Sequence, residues 1–339
     1  MLPLRVKLRP KIDRLPSLWY KQAAMPPKNI KQVSPLKKWA VAARPWALPA
    51  STMPVIFGTS LAWVIGGAAF HIVRFILALA AMVILHSAAN MMSDVFDDHR
   101  GLDREVTPVS GAIVRGWLTG RQVAVGSMIL FVIGSALGLA LVLRTGKVLA
   151  FIGLLGLAIG AGYSFLKYRA LGDLAVFLNF GLLGALGAWV VQTGNFSWLP
   201  VAWTVPQAML VVAILHANNW RDTISDKERK VTTVASLLGD KGSLAYYGFL
   251  LFGSYIYIFS LMIIPKVFRW SMTAMPLTFV LIILGLPKAL GLWERARRRH
   301  APRQPMDFVV LDGATSQYNL VFGILCILAL WLEYALTRL

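Results

Sequence analysis

The chain is 339 residues long, 57% hydrophobic and 14% charged, with 34 Lys and Arg against 15 Asp and Glu and a formal net charge of +19. Soluble domains carry about 25% charged residues, so this composition argues against a water-soluble globule and for a chain immersed in lipid. The single cysteine, Cys326, excludes an intramolecular disulfide and a thiolate metal cluster.

In chain order, residues 1–41 form a basic tail rich in proline (Pro3, Pro10, Pro16, Pro26, Pro27, Pro35), with Asp13 its only acid. It has no continuous apolar core of the kind a secretory signal needs. Its prolines would break the amphipathic helix of an organelle transit peptide. The tail is expected to lie on an anionic membrane surface.

Residues 42–339 form one polytopic domain. Apolar runs lie near 47–69, 72–94, 121–143, 147–164, 171–193, 199–218, 243–264, 270–293 and 318–337. Each approaches the roughly 20 residues that a helix needs to cross the hydrocarbon core. The expected fold is an all-α membrane helix bundle of about nine transmembrane helices. With the N-terminus on the cytoplasmic side, 28 of the 34 Lys and Arg fall on that side. The basic excess therefore follows the positive-inside rule. The lipid bilayer is the expected partner, and no nucleic acid is. The run Arg295, Arg297, Arg298 and Arg299 reads as a topology anchor. The longer loops, 95–120, 219–242 and 294–317, share the cytoplasmic face, where function is sought.

The acids are concentrated there. Asp94, Asp97, Asp98, Asp103 and Glu105 lie in one short stretch and Asp222, Asp226, Glu228 and Asp240 in another, 9 of the 15 in all. Both stretches carry the pattern N-x-x-x-D-x-x-x-D: Asn90, Asp94, Asp98 and Asn218, Asp222, Asp226. At about 100° per residue such positions fan over about 80° of a helix. Asp97, seven residues after Asn90, also fits this face.

Carboxylates crowded together beside hydrocarbon are costly and need a cation. Oxygen donors without cysteine suit Mg²⁺, bound through a few carboxylates and substrate phosphates. A lone D-x-x-x-D at a helix end most often solvates a loop or pairs with a neighbouring arginine, here Arg100, Arg104 or Arg221. Two Asn-led copies in an acid-poor chain favour two halves of one metal–diphosphate clamp. His86 and His216 are expected to be neutral, hydrogen-bonded residues of the bundle, and Asp103 and Asp240 to be loop residues.

The paired motifs resemble those of the UbiA superfamily of intramembrane prenyltransferases. Several stretches are similar to its 1,4-dihydroxy-2-naphthoate polyprenyltransferase branch, which serves menaquinone biosynthesis. These are Arg44-Pro45-Trp46-Ala47-Leu48-Pro49-Ala50, Ser110-Gly111 with Arg115-Gly116, Tyr163-Ser164-Phe165-Leu166-Lys167, Leu171-Gly172-Asp173, Val191-Gln192-Thr193-Gly194, and Asn218-Asn219-Trp220-Arg221-Asp222. Met91-Met92 and Lys230-Val231 depart from the branch pattern.

The resemblance implies a central cavity capped by loops, a polyprenyl diphosphate donor and an aromatic acceptor. It implies that Asn90, Asp94, Asp98, Asp222 and Asp226 form the Mg²⁺–diphosphate set, with Asp97 an alternative to Asp98. Asn218 and Asn219 would assist, Lys167 and Tyr163 would hold diphosphate oxygens, and Arg44 or Arg115 would orient an acceptor carboxylate. Prenyl transfer to a hydroxybenzoate, a homogentisate or a glycerol-phosphate lipid would use the same clamp. A secondary transporter would instead carry its acids near mid-membrane on broken helices.

Overall fold

The computed structural model describes residues 33–101, 106, 110–268, 273–304 and 306–338. Most of the basic tail, together with Asp103 and Glu105, lies outside these residues. The bundle begins earlier than expected, with α1 (Pro35–Ala43). Ser34 caps its first turn and Pro35 occupies the first helical position, where a missing N–H costs nothing. Arg44 then takes a left-handed conformation (φ 54°), and a 3₁₀ turn over Pro45–Ala47 leads into α2 (Pro49–Val64). These prolines and the left-handed residue bend the chain by 59°.

The remaining long helices are α3 (Ile72–His99), α4 (Gly120–Thr145), α5 (Lys147–Ala161), α6 (Gly172–Thr193), α7 (Leu199–Arg221), α8 (Val234–Val267), α9 (Leu277–Arg297) and α10 (Leu311–Leu336). Capping boxes at Thr119–Gln122 and Thr233–Ser236 start α4 and α8. A π-helical turn, Phe177–Leu183, interrupts α6, and α9 begins as a 3₁₀ segment, Leu277–Gly285.

Each of the nine apolar runs contains a helix, but the helix lengths do not match nine full spans. Among the described residues seven helices are long and apolar enough to cross a membrane, and the bent α1–α2 pair gives an eighth. Helix α5 has only 15 residues. At 1.5 Å per residue that is about 22 Å, short of the roughly 30 Å hydrocarbon core.

Helices α3 and α4 pack as a long hairpin, while α7 lies between α8 and α10 and α2 packs on α6 and α10. Phe279 meets Phe57 and Trp203 edge-on in the core. Buried hydroxyls are matched across helices, Tyr247 with Thr315 and Tyr255 with Tyr318, each at 2.7 Å. Outward positions such as Leu139, Leu143, Phe151, Leu154, Phe249 and Ile256 stay exposed and apolar, as a lipid-facing surface requires. The chain is an integral membrane protein.

Candidate active site

The two acidic motifs end α3 and α7, and a cavity of about 130 Å³, with bases and amides set in a largely apolar wall, lies beside these ends; Asn90 and Asn218 line it, while the motif carboxylates do not. Its wall includes Arg44, Asn90, Tyr163, Lys167, Asn218 and Asp312. The backbone break after α1 turns Arg44 inward. Asn90 donates to the Ala43 carbonyl at 3.3 Å, fixing that break against α3. Lys167 ends the short helix Tyr163–Lys167. The strand-like segment behind it is pinned to the loop after the second motif, with Ala170 donating to Thr232 at 2.7 Å and Thr232 to Tyr168 at 3.3 Å.

The structure answers the demand for a cation with the chain's own bases. Buried Asp94 pairs with Arg44. Buried Asp97 accepts from Lys167 Nζ at 3.0 and 3.3 Å and from the Tyr168 hydroxyl at 2.9 Å. Burial works against the charged Lys167, yet the Asp97 carboxylate outweighs it and holds the ammonium well above its ordinary pKa. Asp222 receives both Nε and Nη2 of Arg221 at 2.9 Å. This last pair is the neighbouring-arginine arrangement weighed in the sequence.

The expected face-to-face carboxylate clusters are therefore not preassembled. Among the described residues no three His, Cys, Asp or Glu side chains gather closely enough to hold a metal. The two alternatives for the third ligand differ in surroundings: Asp98 is exposed, while Asp97 is buried. Seven residues from Asn90 bring Asp97 back to within about 20° of it, whereas eight leave Asp98 about 80° away. Asp226 is buried in the short helix Thr223–Glu228. Asn219 is buried but does not line the cavity. Of the two arginines proposed for the acceptor, Arg44 is in the cavity wall. Arg115 donates to the Ser110 carbonyl at 3.0 Å and lies over Trp117, in the loop.

That loop lies hard against the first motif. A Cβ on Gly111 would run into the Asp94 carboxylate, so only glycine allows so close an approach. Asp240 is a structural anchor, accepting from Trp220 Nε1 at 2.8 Å and from Arg299 and His300. His86 meets its expectation, with Nδ1 2.7 Å from Ser51 Oγ. His216 does not: neither ring nitrogen has a hydrogen-bond partner among the described residues, and Nδ1 stands 3.8 Å from Asp173.

Sequence reasoning passed over Tyr168 and Asp312. Asp312 accepts from Arg221 at 2.9 Å and Asn218 at 3.3 Å, linking the second motif to α10. Its signal was available, since it is an acid placed where an apolar run begins.

Beyond the polar cavity lies a second one of about 500 Å³, walled almost wholly by apolar residues of α3, α4, α5 and α6. The two share Ala89, Gly160, Asn179 and Phe180 as walls. The chain is thus of the class of membrane bundles that set a base-lined chamber beside a greasy one.

The comparisons narrow this class. The sequence profile of the UbiA prenyltransferase family matches residues 51–311, and the chain belongs to that family. It is 32% identical over 303 residues to the UbiA prenyltransferase domain-containing protein 1 homolog of Drosophila melanogaster, covering 87% of this chain and 79% of that protein. The apo UbiA homolog from Aeropyrum pernix K1 superposes with a TM-score of 0.60 at 19% identity, over 84% of this chain and 97% of that one. The Archaeoglobus fulgidus UbiA homolog bound to DMAPP and Mg²⁺ gives 0.54 at 15%, over 86% and 99%. These likenesses bear out the superfamily. The curated relative is a domain-containing protein 1 homolog, and its name does not single out the dihydroxynaphthoate branch.

Proposed function

We propose that this chain transfers a polyprenyl group from an allylic polyprenyl diphosphate to a hydroxylated aromatic ring, with 1,4-dihydroxy-2-naphthoate the favoured acceptor. The observation that carries this reading is the junction of the two cavities. A polar chamber with Arg44, Tyr163, Lys167 and Asn218 suits a diphosphate, and the apolar chamber suits a prenyl tail. The A. fulgidus neighbour binds DMAPP and Mg²⁺ in this fold.

The donor set fits Mg²⁺. Asn90 lines the cavity, Asp94 and Asp97 carry hard oxygen atoms paired with its lining bases Arg44 and Lys167, and Mg²⁺ characteristically takes one or two carboxylates and completes its shell with water and substrate phosphates. Asp222 and Asp226 would hold the second share. Bound there, Mg²⁺ would supply neutralisation of the leaving diphosphate. Lys167 and Arg44 shift part of their charge from carboxylate to diphosphate oxygens, and Tyr163 steadies those oxygens.

When the allylic C–O bond breaks, its electron pair leaves with diphosphate. The ring carbon bearing the carboxylate attacks the allylic cation, the new C–C bond forms, and the C–CO₂ bond breaks to release CO₂ and restore the ring. The apolar walls keep water from the cation. Because Arg44 lines the cavity and Arg115 does not, Arg44 is the better candidate of the two to orient the acceptor carboxylate. By the positive-inside rule, the basic loops support a cytoplasmic location for this chamber.

The test is a product assay on membranes containing the protein, with labelled polyprenyl diphosphate, Mg²⁺ and 1,4-dihydroxy-2-naphthoate. A lipid-soluble prenylated naphthalenoid that disappears with EDTA and in Asp94→Ala is the expected result. Product only with hydroxybenzoate, homogentisate or a glycerol-phosphate lipid would keep the clamp and move the acceptor. No metal-dependent diphosphate release with any acceptor would sink the reading.

A further inference from the structure

The neck between the two cavities is apolar apart from one side chain. Asn179 sits in the π-helical turn of α6 and lines both cavities. Such a turn inserts one residue into the helical register and re-aims its side chains, and it recurs at functional sites. Facing Asn179 on α5 are Gly156 and Gly160. A Cβ on Gly156 would lie 3.0 Å from Asn179 Oδ1, and one on Gly160 3.5 Å from Nδ2. The two glycines clear the space that the amide fills. The amide is half-buried, and no hydrogen bond to it is present among the described residues.

An amide set in an apolar neck without a protein partner is costly unless something bonds it, so its position here points to a ligand. The place selects which part of the ligand. In an allylic diphosphate the reacting carbons lie between the head and the tail. With the head among Lys167, Tyr163 and Arg44 and the tail in the apolar cavity, those carbons fall at the neck.

We infer that Asn179 contacts the allylic carbons of the donor and that its carbonyl oxygen stabilises the positive charge that develops when the C–O bond breaks. This rests on the proposed prenyl transfer and deepens it. In a site of low dielectric, a fixed dipole aimed at developing charge acts far more strongly than in water. Phe180, the next residue, lines the same neck. Its ring is stacked 4.3 Å from His86, which Ser51 holds in turn at 2.7 Å. The neck is thus braced from α2 and α3. The diphosphate leaves with its electron pair, and the cation is quenched by the acceptor ring or, without one, by water.

The experiment compares wild type, Asn179→Leu and Asn179→Ser in detergent. Three readouts are taken: binding of geranylgeranyl S-thiolodiphosphate, which ionises poorly; single-turnover prenyl transfer; and diphosphate release from geranylgeranyl diphosphate without any aromatic acceptor. Asn179→Leu is expected to bind the analogue within about twofold of wild type. Transfer and acceptor-free release should both fall about 100-fold, within the range for removing one stabilising dipole. Asn179→Ser, which keeps an oxygen at shorter reach, should lie between.

Equal rates in all three proteins would overturn the inference. So would a parallel loss of analogue binding, which would make Asn179 a wall of the cavity, or slow transfer with normal acceptor-free release, which would assign the amide to the acceptor. A wild-type protein that never releases diphosphate would instead overturn the proposed function.

Discussion

The two acidic stretches share a sequence pattern yet are built differently. In the first, the partners come from far away in the chain: Arg44 for Asp94 and Lys167 for Asp97. Both bases stand in the cavity wall, so each ion pair also clamps separate helices around the site. In the second, Asp222 is held by its own neighbour, Arg221, which in turn reaches Asp312 at 2.9 Å. The first half pairs each acid with a base from a distant segment, whereas the second pairs Asp222 along its own helix end and ties that arginine to α10. One motif, repeated, therefore makes a buried cross-link in one place and a local, partly exposed pair in the other.

The largest effects should come from breaking the cross-link. Lys167→Ala would leave Asp97 buried without its cation, which costs about 3–5 kcal/mol, and would remove a diphosphate contact. A clear drop in melting temperature in detergent and a fall of about 1,000-fold in transfer are expected. Full activity would show that Lys167 serves only Asp97.

Within the first stretch, Asp94→Ala and Asp97→Asn are each expected to lose about 100-fold in Mg²⁺-dependent diphosphate release, while Asp98→Ala should stay within about threefold of wild type. An equal loss in Asp98→Ala would return that residue to the metal set and undo the division by burial.

Gly111→Ala tests the same pair from the loop side. Its Cβ would displace the Asp94 carboxylate, and about 1–3 kcal/mol of destabilisation is expected, with about a tenfold fall in kcat. Unchanged kcat would show that the loop yields instead.

The smallest effect is expected in the second stretch. Asp312→Asn keeps the shape but weakens the hold on Arg221, and should cost about 1–2 kcal/mol and only a few-fold in activity. A loss as large as that of Lys167→Ala would show that the two halves are equivalent after all.

Composition and the period of apolar residues determined a great deal by themselves. Lipid immersion, the all-α fold and the positions of the apolar helices follow from run length, because a backbone in hydrocarbon must satisfy its own hydrogen bonds. The repeated acids marked the correct ends of α3 and α7, since charge is too costly there without purpose. The helical repeat even admitted Asp97 beside Asp98.

Only the tertiary structure gives the two different surroundings, because burial of Asp97 depends on Lys167 and Tyr168 arriving from another segment. Arg44 reaches the cavity wall through its own left-handed conformation and the flanking prolines that bend α1 from α2, while Arg115 stays bonded within its loop. Asp312 and Asn179 acquire meaning from the cavities they line, and a cavity belongs to no single segment. Local periodicity writes which face of a helix is polar. Which distant charge comes to meet that face is settled by packing, and there the chemistry of this site was assembled.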